Sequence, residues 1–471
     1  MRRPIRADYG QMYLLPPNLD EWLPADHPAR FVRDFVDALD LTELGFKVPE
    51  ALDGRPPYAA DLLLKVWLYG YYSKIRSSRA LERACYDSMA MVWLTGNHAP
   101  DHNTLWRFWR DNRGALRELF KQSVQVAVKS DLVSLALQAV DGTKIAAQSS
   151  TATAWRREIL EKKLERLDAA MEEILAQTER NESVERGSCR LPEALCDAQK
   201  RRERIASALQ ELRASGRETM HPKEPEAVVL PCAEGKRPGY NAQAVTEAKN
   251  HLIVAAEVVA QENDQEQLNP MMDASERNTG KRSEMTLADA GYFTGRQIEQ
   301  AERDGRDALV NAPSVYQGDG RRFHRANFTY DAEHDEFICP LGRRLVYLST
   351  HQPEREQEGP TRVYRCRGGP ECPSRMECTR QARGRTVNKD GYYESVQRQV
   401  RKQQAPANRA LLRQRKRIAE LPFAWLKQQM GFRRWTVRGL ANVRAQWDLL
   451  CTSLNLRVLH GYWKKGLLNM T

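Results

Sequence analysis

Apolar residues in the first 125 positions recur with the spacing of amphipathic helices. The period is clearest in His27–Leu41 and Tyr58–Tyr72, and Ser78 begins a third such segment with a residue type that caps helices. Such a pattern predicts one apolar face on each helix, and these faces can pack together. We therefore expect a helical N-terminal domain over residues 1–125.

The last helix predicted in this domain follows Pro100 and has Asp101 or Asn103 as its cap. It carries Arg107 and Arg110 near one face. A short helical unit that ends in a helix bearing Arg and Trp can insert into a DNA groove. It can equally be a bundle that packs against the rest of the chain, and both readings stay open.

Beyond residue 125 the pattern is that of an α/β domain. Apolar, strand-like runs alternate with helical periods and lie at Leu132–Val140, Tyr240–Thr246, Leu252–Val259, Met285–Ala288 and Ala308–Asn311. We expect residues 126–314 to form the first part of a mixed sheet flanked by helices. Apolar residues spaced 4-3-4-3 from Leu160 to Ile174 predict a coiled-coil helical hairpin inserted at about residues 155–215, with its tip at Glu179–Ser188.

Two further zones complete the chain. Residues 315–395 form a polar insertion with short β-strands and a group of cysteines, and residues 396–471 form a basic helical region. One long helix is predicted from about Glu394 to Gln429, and a final helix near Ala441–Leu459.

Positive charge is concentrated at the C-terminal end. The 471-residue chain has a formal net charge of +11. Residues 401–471 hold fifteen Lys and Arg against Glu420 and Asp448, which makes +13 and leaves about −2 for the rest of the chain. Such a concentration is typical of a surface that binds a polyanion, and the alternative is a solvated basic helix.

The composition excludes other classes of protein. The chain is 41% hydrophobic and 8% aromatic, which argues against disorder. Its longest apolar stretches, Leu132–Val140 and Leu252–Ala260, fall short of the ~18–20 residues of a bilayer span, and the first ten residues lack an apolar signal core. We therefore expect a cytoplasmic protein with no membrane partner.

Four of the nine cysteines cluster in the insertion. Cys366, Cys372 and Cys378 follow one another with five residues between each pair, and Cys339 lies upstream. Four thiols are enough for tetrahedral Zn²⁺, but the spacing is wider than that of the usual zinc motifs. A structural Zn²⁺ and reduced cysteines in a small β domain are both open, whereas a disulfide framework does not suit a cytosolic chain.

Three acidic residues stand where a metal-dependent site can form. Asp141 and Asp289 each follow a strand-like run and precede a turn that contains Gly, and Glu420 is almost alone in a basic helix. Mg²⁺ prefers such oxygen ligands, and two ions ~3.5–4 Å apart can drive phosphodiester displacement. Considered alone, these acids have simpler explanations. Asp141 could be a turn residue, and Glu420 could form an ion pair with Lys416 or Arg417.

Four short motifs occur in order along the chain: Asp141-Gly-Thr-Lys, Gly239-Tyr-Asn-Ala-Gln-Ala-Val, Ala288-Asp-Ala-Gly-Tyr and Glu420-Leu-Pro-Phe-x3-Lys427. Together with the Pro100-Asp-His-x-Thr segment, they resemble the DDE transposases of bacterial insertion sequences. The resemblance is to the IS4-type superfamily and most of all to the IS1182 group. It covers nearly the whole chain, and the order of the motifs makes it specific.

The resemblance implies an RNase H-like catalytic core in which the three acids form a triad that binds two Mg²⁺ or Mn²⁺ ions. It also matches Glu420 and Lys427 to the end of a Tyr-x2-Arg-x3-Glu-x6-Lys signature. This chain departs from the signature upstream, where Arg413 takes the tyrosine position and Lys416 takes the arginine position. A basic phosphate contact is retained at Lys416, and the tyrosine role is open.

The implied reaction is hydrolysis at the transposon end, followed by attack of the freed 3′-hydroxyl on target DNA. The implied partners are double-stranded DNA, at the nucleoid, and a second copy of the chain as a homodimer. The residues expected at DNA are Arg107, Arg110, Lys416, Arg417, Lys427, Arg433, Arg434 and Trp435. Trp435 would stack on an unpaired base, although a buried aromatic is the commoner fate of such a residue. Asn241 and Gln243 are further candidates by the resemblance alone.

Two other functions fit the same residues. One is a DNA-binding protein derived from a transposase that has lost its activity. The other is a metal-dependent nuclease that cleaves DNA without strand transfer. Alanine at each acid separates the first from an enzyme, and analysis of joined products separates the second.

Overall fold

The computed structural model describes residues 18–47, 56–149, 154–182, 193–233, 235–352, 359–368 and 371–469. Its helices are α1 (Pro28–Asp37), α2 (Ala60–Tyr72), α3 (Ser78–Asp87), α4 (Met89–Thr95), α5 (His102–Asp111), α6 (Arg113–Lys129), α7 (Arg157–Glu182), α8 (Glu193–Ser215), α9 (Leu268–Thr279), α10 (Gly295–Arg303), α11 (Ser314–Gln317), α12 (Arg375–Cys378), α13 (Tyr393–Gln404), α14 (Pro406–Ala424) and α15 (Leu440–Trp463).

Its strands are β1 (Gln138–Ala146), β2 (Trp155–Arg156), β3 (Thr219–Met220), β4 (Val228–Cys232), β5 (Gly235–Glu247), β6 (Ile253–Val259), β7 (Thr286–Ala288), β8 (Ala308–Val310), β9 (Thr329–Asp331), β10 (Glu336–Ile338), β11 (Arg344–His351), β12 (Thr361–Cys366) and β13 (Thr386–Lys389). The chain is thus an α/β protein. In the part of the chain described, no helix is long and apolar enough to cross a membrane.

The N-terminal helices form where the hydrophobic period predicts them. The side chain of Asp101 caps α5 by accepting hydrogen bonds from the backbone N–H groups of Asn103 and Thr104, at 2.9 and 3.1 Å. Apolar faces of these helices, including Phe31 and Leu64, are fully buried in the main core. This core is shared with α15, which packs against α2 and α6.

One mixed sheet lies at the centre of the chain. Its strand order is β4-β5-β1-β7-β8, and β6 pairs with the second half of the long strand β5. Strand β1 is antiparallel to β5 and parallel to β7, which is in turn parallel to β8. The strand predicted at Leu132–Val140 in fact begins at Gln138, because the chain turns around Leu135 before it joins the sheet.

Two insertions stand apart from this sheet. Helices α7 and α8 form the predicted hairpin around a small core of their own, which includes Leu160 and Leu212, and β2 pairs with β3 at its base. The predicted tip, Glu179–Ser188, lies largely outside the described residues. The cysteine-bearing insertion is an antiparallel sheet in the order β13-β12-β11-β10-β9, packed around Phe337 and Tyr364.

The C-terminal helices pack against the central sheet. The helical region predicted from Glu394 to Gln429 consists of two helices. Ala405 has an extended backbone and Pro406 begins α14, so the helix is interrupted between them. Near its end, α14 passes into a π-helical turn at Trp425–Gln429. The last helix, α15, begins and ends beyond the predicted segment and buries most of its middle turns.

Candidate active site

Asp141 lies in the middle of β1, where its backbone pairs with Ala244 of β5. The reading of Asp141 as a turn residue is therefore wrong. Ala139, two residues earlier, packs against Ile418 of α14, so Asp141 lies on the same face of the strand as that contact. The side chain is 15% exposed, and its Oδ1 accepts a hydrogen bond of 2.9 Å from the N–H of Gly142.

Asp289 follows directly after β7, the parallel neighbour of β1. Gln138 pairs with Thr286 and Ala139 with Leu287, and the same offset continued along the strands sets Asp289 opposite Asp141. The Oδ1 of Asp289 accepts a hydrogen bond of 2.8 Å from the N–H of Gly291 and so caps the short 3-10 turn Ala290–Tyr292. The glycine in the motif thus allows the chain to turn away while the carboxylate stays at the strand end.

Glu420 is held at the same place by packing of α14. Ile418 and Ala419 are buried against Ala139 of β1 and Leu287 of β7. Glu420 is the next residue and is exposed. Among the described residues it forms no ion pair, so the reading of Glu420 as a partner of Lys416 or Arg417 is not supported.

Electrostatics link the three predicted acids. The pKa of Asp141 is raised to about 6, mainly by burial and in smaller part by the negative charges of Asp289 and Glu420, whereas the positive charge of Arg415 opposes the rise. The carboxylates of Asp289 and Glu420 therefore lie within electrostatic reach of Asp141. The fold brings together three acids that the sequence separates by more than a hundred residues each.

Arg415 is a site residue that the sequence prediction missed. It is 8% exposed, and its Nη1 lies 3.5 Å from Oδ2 of Asp141. The sequence does not distinguish Arg415 from the other cations of α14, because only its burial sets it apart. The signal was present, since Arg415 precedes the buried Ile418 and Ala419 by three and four residues and so shares their face of the helix.

Asp264, in the segment between β6 and α9, is a fourth carboxylate at the site that the sequence prediction missed. Its Oδ1 accepts hydrogen bonds from the side-chain amides of Asn241 and Gln243, at 2.7 and 2.6 Å. Both amides are fully buried. The hydroxyl of Tyr292 donates to Oε1 of Gln243 and so fixes the orientation of that amide.

Two glycines make room for Asp264 beside the triad. A Cβ on Gly142 would lie 2.8 Å from Oδ1 of Asp264. A Cβ on Gly291 would lie 3.0 Å from Oδ1 of Asp289 and 3.4 Å from Oδ2 of Asp264, so both carboxylates border the same glycine. Burial, followed by the charges of Asp264, Asp141 and Asp289, raises the pKa of Tyr292.

The cations expected at DNA lie at the surface. Exposed residues of this set are Arg107, Arg110, Lys416, Arg417, Lys427, Arg433 and Arg434. Arg110 also pairs with Asp111, its Nε lying 2.7 Å from a carboxylate oxygen. The π-helical turn that contains Lys427 changes the helical register between Glu420 and Lys427, so their spacing of seven residues does not correspond to two turns of a regular α-helix on one face.

Trp435 has no exposed surface at all. Its ring packs edge-on against Phe432 and Trp447, with ring centres 5.3 and 6.1 Å apart. A side chain buried in this way does not reach an unpaired base, so the stacking role expected for Trp435 is wrong and the buried-core reading applies.

The four clustered cysteines converge in the insertion. Cys339, Cys366, Cys372 and Cys378 line one small cavity beside the Phe337 core. Burial raises the pKa of Cys378, and the three neighbouring thiols raise it further against the opposing charge of Arg385. The chain turns tightly at Cys339, whose Sγ accepts from the N–H of Leu341 at 3.4 Å and whose carbonyl accepts from Gly342 at 2.8 Å.

A different group of potential ligands lies at the turn between β9 and β10. Ligand atoms of Asp331, His334 and Glu336 lie within 4.8 Å of one another. His334 is hydrogen-bonded to Asp331 at 2.8 Å, and Glu336 lies 3.2 Å from Arg344. These contacts account for the grouping without a metal ion.

Two family models match the chain. One is described as "Transposase DDE domain" and matches residues 338–460, and the other is described as "Transposase domain (DUF772)" and matches residues 17–111. The first match includes α14 with Glu420, and the second covers the N-terminal helices up to the end of α5. No curated protein and no solved structure matches the chain.

Proposed function

We propose that this chain, whose two family matches are those typical of IS1182-type DDE transposases, binds the terminal inverted repeats of an insertion sequence. It would cleave DNA there and join the freed end to target DNA. The proposed catalytic triad is Asp141, Asp289 and Glu420. The proposal depends on the placement of these three acids around the central strand β1 and its parallel neighbour β7.

The sheet supports an RNase H-like core. Its central strand β1 is flanked by antiparallel β5 and β6 on one side and by parallel β7 and β8 on the other. Asp141 comes from the central strand, Asp289 from the end of its parallel neighbour, and Glu420 from a helix that packs across both. Rigid elements therefore supply all three carboxylates.

The donor set suits Mg²⁺ or Mn²⁺. All the candidate ligand atoms are carboxylate oxygens, which these hard cations prefer, and they lie beside neither a thiol nor an imidazole in the contacts described. A pair of such ions, when bound, activates the attacking oxygen and stabilises the leaving oxygen. Asp141, Asp289 and Glu420 would hold them, and the clustering of negative charge that raises the pKa of Asp141 is relieved by positive charge.

The proposed chemistry has two steps. In the first, the oxygen of water attacks a phosphorus atom at the transposon end, the P–O3′ bond breaks, and the 3′-oxygen leaves with a proton. In the second, the freed 3′-hydroxyl attacks a phosphorus atom of target DNA, so that one phosphodiester bond forms as another breaks. The exposed cations of α14 and its downstream turn, Lys416, Arg417, Lys427, Arg433 and Arg434, would hold the DNA backbone.

The experiment compares three proteins on labelled DNA that carries the element's own ends, with Mg²⁺ or Mn²⁺ present. Wild type is expected to release cleaved ends and to yield joined products with a target plasmid. Glu420→Gln and Asp289→Asn are expected to bind the same DNA and to give neither product. Binding without cleavage by the wild type would favour a DNA-binding protein without activity, and cleavage without joined products would favour a nuclease.

For the rest of the chain, we propose that residues 1–125 contact DNA through α5, with Arg107 and Arg110, and that the transposase acts as a homodimer on two ends in the bacterial nucleoid. A dimer allows one site to serve each transposon end. Sedimentation with and without end DNA tests this. A monomeric complex with one end would contradict it.

We further propose that Cys339, Cys366, Cys372 and Cys378 hold a structural Zn²⁺. The four thiols line one cavity, and the tight turn at Cys339 directs the backbone N–H of Leu341 toward its sulfur. Binding of Zn²⁺ would neutralise the four thiolates and so remove the repulsion between Cys378 and its neighbouring thiolates. Metal analysis of protein purified without chelator is expected to find about one Zn²⁺ per chain, lost in Cys372→Ser. A zinc-free, fully folded wild type would overturn this.

A further inference from the structure

A groove of about 830 Å³ opens beside the triad, between the segment that follows β8 and the junction of α13 with α14. Four cations line it: Arg409, Arg413, Arg415 and Lys416. Its other polar walls are side-chain amides such as those of Gln403 and Gln404, and no carboxylate lines it. The groove is therefore positive along its length and suits an anionic ligand with many oxygen acceptors.

Three of the cations form a row. Arg409, Arg413 and Lys416 are spaced by four and three residues, so they share one face of α14 over about 10 Å of helix. All three are exposed, and none forms an ion pair with a residue that the structure describes. Unpaired, parallel cations along a groove can each contact a successive phosphate.

Arg415 connects the groove to the active site. It lines the groove, yet it is nine-tenths buried, and its Nη1 has no hydrogen-bond partner among the described residues. In the part of the chain that the structure describes, it forms one ion pair, with Asp141 at 3.5 Å. A buried guanidinium N–H without a partner is costly, and a phosphate oxygen at this position would satisfy it.

We propose that this groove binds the phosphodiester backbone of a DNA strand and leads it to the carboxylates, with Arg415 contacting the phosphate nearest Asp141. The proposal rests on the proposed function and deepens it by naming the path of the substrate. It also gives a role to Arg413, which stands at the tyrosine position of the family signature. There it adds a third cation to the row.

The first test measures DNA binding by the full-length protein in EDTA, so that cleavage does not interfere. The probes are a 20-bp duplex and a 20-nucleotide oligothymidylate, titrated by fluorescence anisotropy across a range of NaCl concentrations. For Arg409→Gln/Arg413→Gln, the slope of log K against log[salt] is expected to become less steep by about 1.8 on duplex, or about 1.4 on single strand. The matched control is Arg303→Gln/Arg401→Gln, which removes two cations outside the groove and is expected to leave the slope unchanged.

Each outcome of this titration either supports or overturns the proposed DNA-binding groove. A smaller slope on either probe supports the groove, and the probe affected shows whether it holds duplex or single-stranded DNA. A slope equal to that of the control on both probes would overturn the proposal. Since binding is measured without metal, this result is independent of cleavage: a wild type that never cleaves would refute the proposed function and leave the groove to be judged by its slope.

A second test concerns Arg415. At saturating end DNA with Mg²⁺, Arg415→Gln is expected to lower the cleavage rate by about 10²-fold, with Arg415→Lys recovering part of it, because the charged donor acts at the reacting phosphate. The DNA affinity should change far less than the rate. If affinity and rate fall by the same factor, or if Arg415→Gln cleaves as wild type, Arg415 does not contact the reacting phosphate.

Discussion

The burial of Asp141 predicts that removing its charge stabilises the protein when no metal is bound. The pKa of this carboxyl rises from its usual 3.8 to about 6, mainly through burial. At about 1.36 kcal/mol for each pH unit of that rise, ionised Asp141 costs about 3 kcal/mol of folding free energy. Asp141→Asn keeps the shape of the side chain and removes this cost.

The sign of the effect depends on pH. The folded protein binds the proton of Asp141 more tightly than the unfolded chain does, so the wild type loses stability as the pH rises from about 4 through about 6. The asparagine variant does not titrate. Its advantage is therefore expected to be fully present at pH 8, to shrink below pH 6 and to vanish near pH 4.

Thermal unfolding in EDTA at pH 8 and pH 4.5 measures this difference. For cooperative unfolding of 471 residues, about 3 kcal/mol corresponds to an increase in Tm of about 3 °C. Mg²⁺ is expected to raise the Tm of the wild type and not that of the variant, because the variant lacks a metal ligand. Asp197→Asn, which removes an exposed carboxylate from α8, is the matched control and should change Tm little.

An Asp141→Asn variant that is no more stable than wild type at pH 8 would refute the reasoning. So would a stabilisation of equal size at both pH values, because it would not come from ionisation. If Mg²⁺ stabilised the variant as much as the wild type, Asp141 would not be a metal ligand, whatever its effect on stability.

Three further predictions concern other parts of the chain. Glu420→Gln should abolish metal-dependent end cleavage with unchanged DNA affinity, and residual cleavage in the same assay would remove Glu420 from the triad. Trp435→Ala should destabilise the protein by about 3–5 kcal/mol in chemical denaturation, because the ring is fully buried, and a loss under about 1 kcal/mol would contradict its core position. Burial raises the pKa of Asp448 to about 7, so Asp448→Asn should raise Tm at pH 8 and not at pH 4. Equal Tm values for this variant and the wild type at pH 8 would argue against a cost of burying the ionised carboxylate.

The helices of the N-terminal region could be predicted because their signals are local. The apolar period of Tyr58–Tyr72 corresponds to α2, and the cap at Asp101 begins α5. The start of β1 could not be predicted in the same way. The run Leu132–Val140 is mostly apolar along its whole length, but the strand is defined by pairing with β5 and β7, which are distant in sequence.

The candidate triad could be predicted from its motifs, whereas the residues around it could not. Asp264 does not directly follow the strand-like run Leu252–Val259, and it carries no motif of its own in the sequence. Its place depends on the amides of Asn241 and Gln243 and on the absence of a Cβ at Gly142 and Gly291, which are facts of packing. Trp435 shows the opposite case, since its neighbours Arg433 and Arg434 are exposed while its own ring is enclosed.

Helix α14 explains why a basic segment can serve an acidic site. Its buried stripe fixes the helix against β1 and β7 through the apolar contacts of Ile418 and Ala419 and through the ion pair of Arg415 with Asp141. Glu420 follows this stripe directly, so the packing that anchors the helix also sets the position of its carboxylate. The row of Arg409, Arg413 and Lys416 occupies another face of the same helix. A single helical period thus sets the positions of both a proposed metal ligand and the proposed phosphate contacts, and a shift of one residue in α14 would misplace both at once.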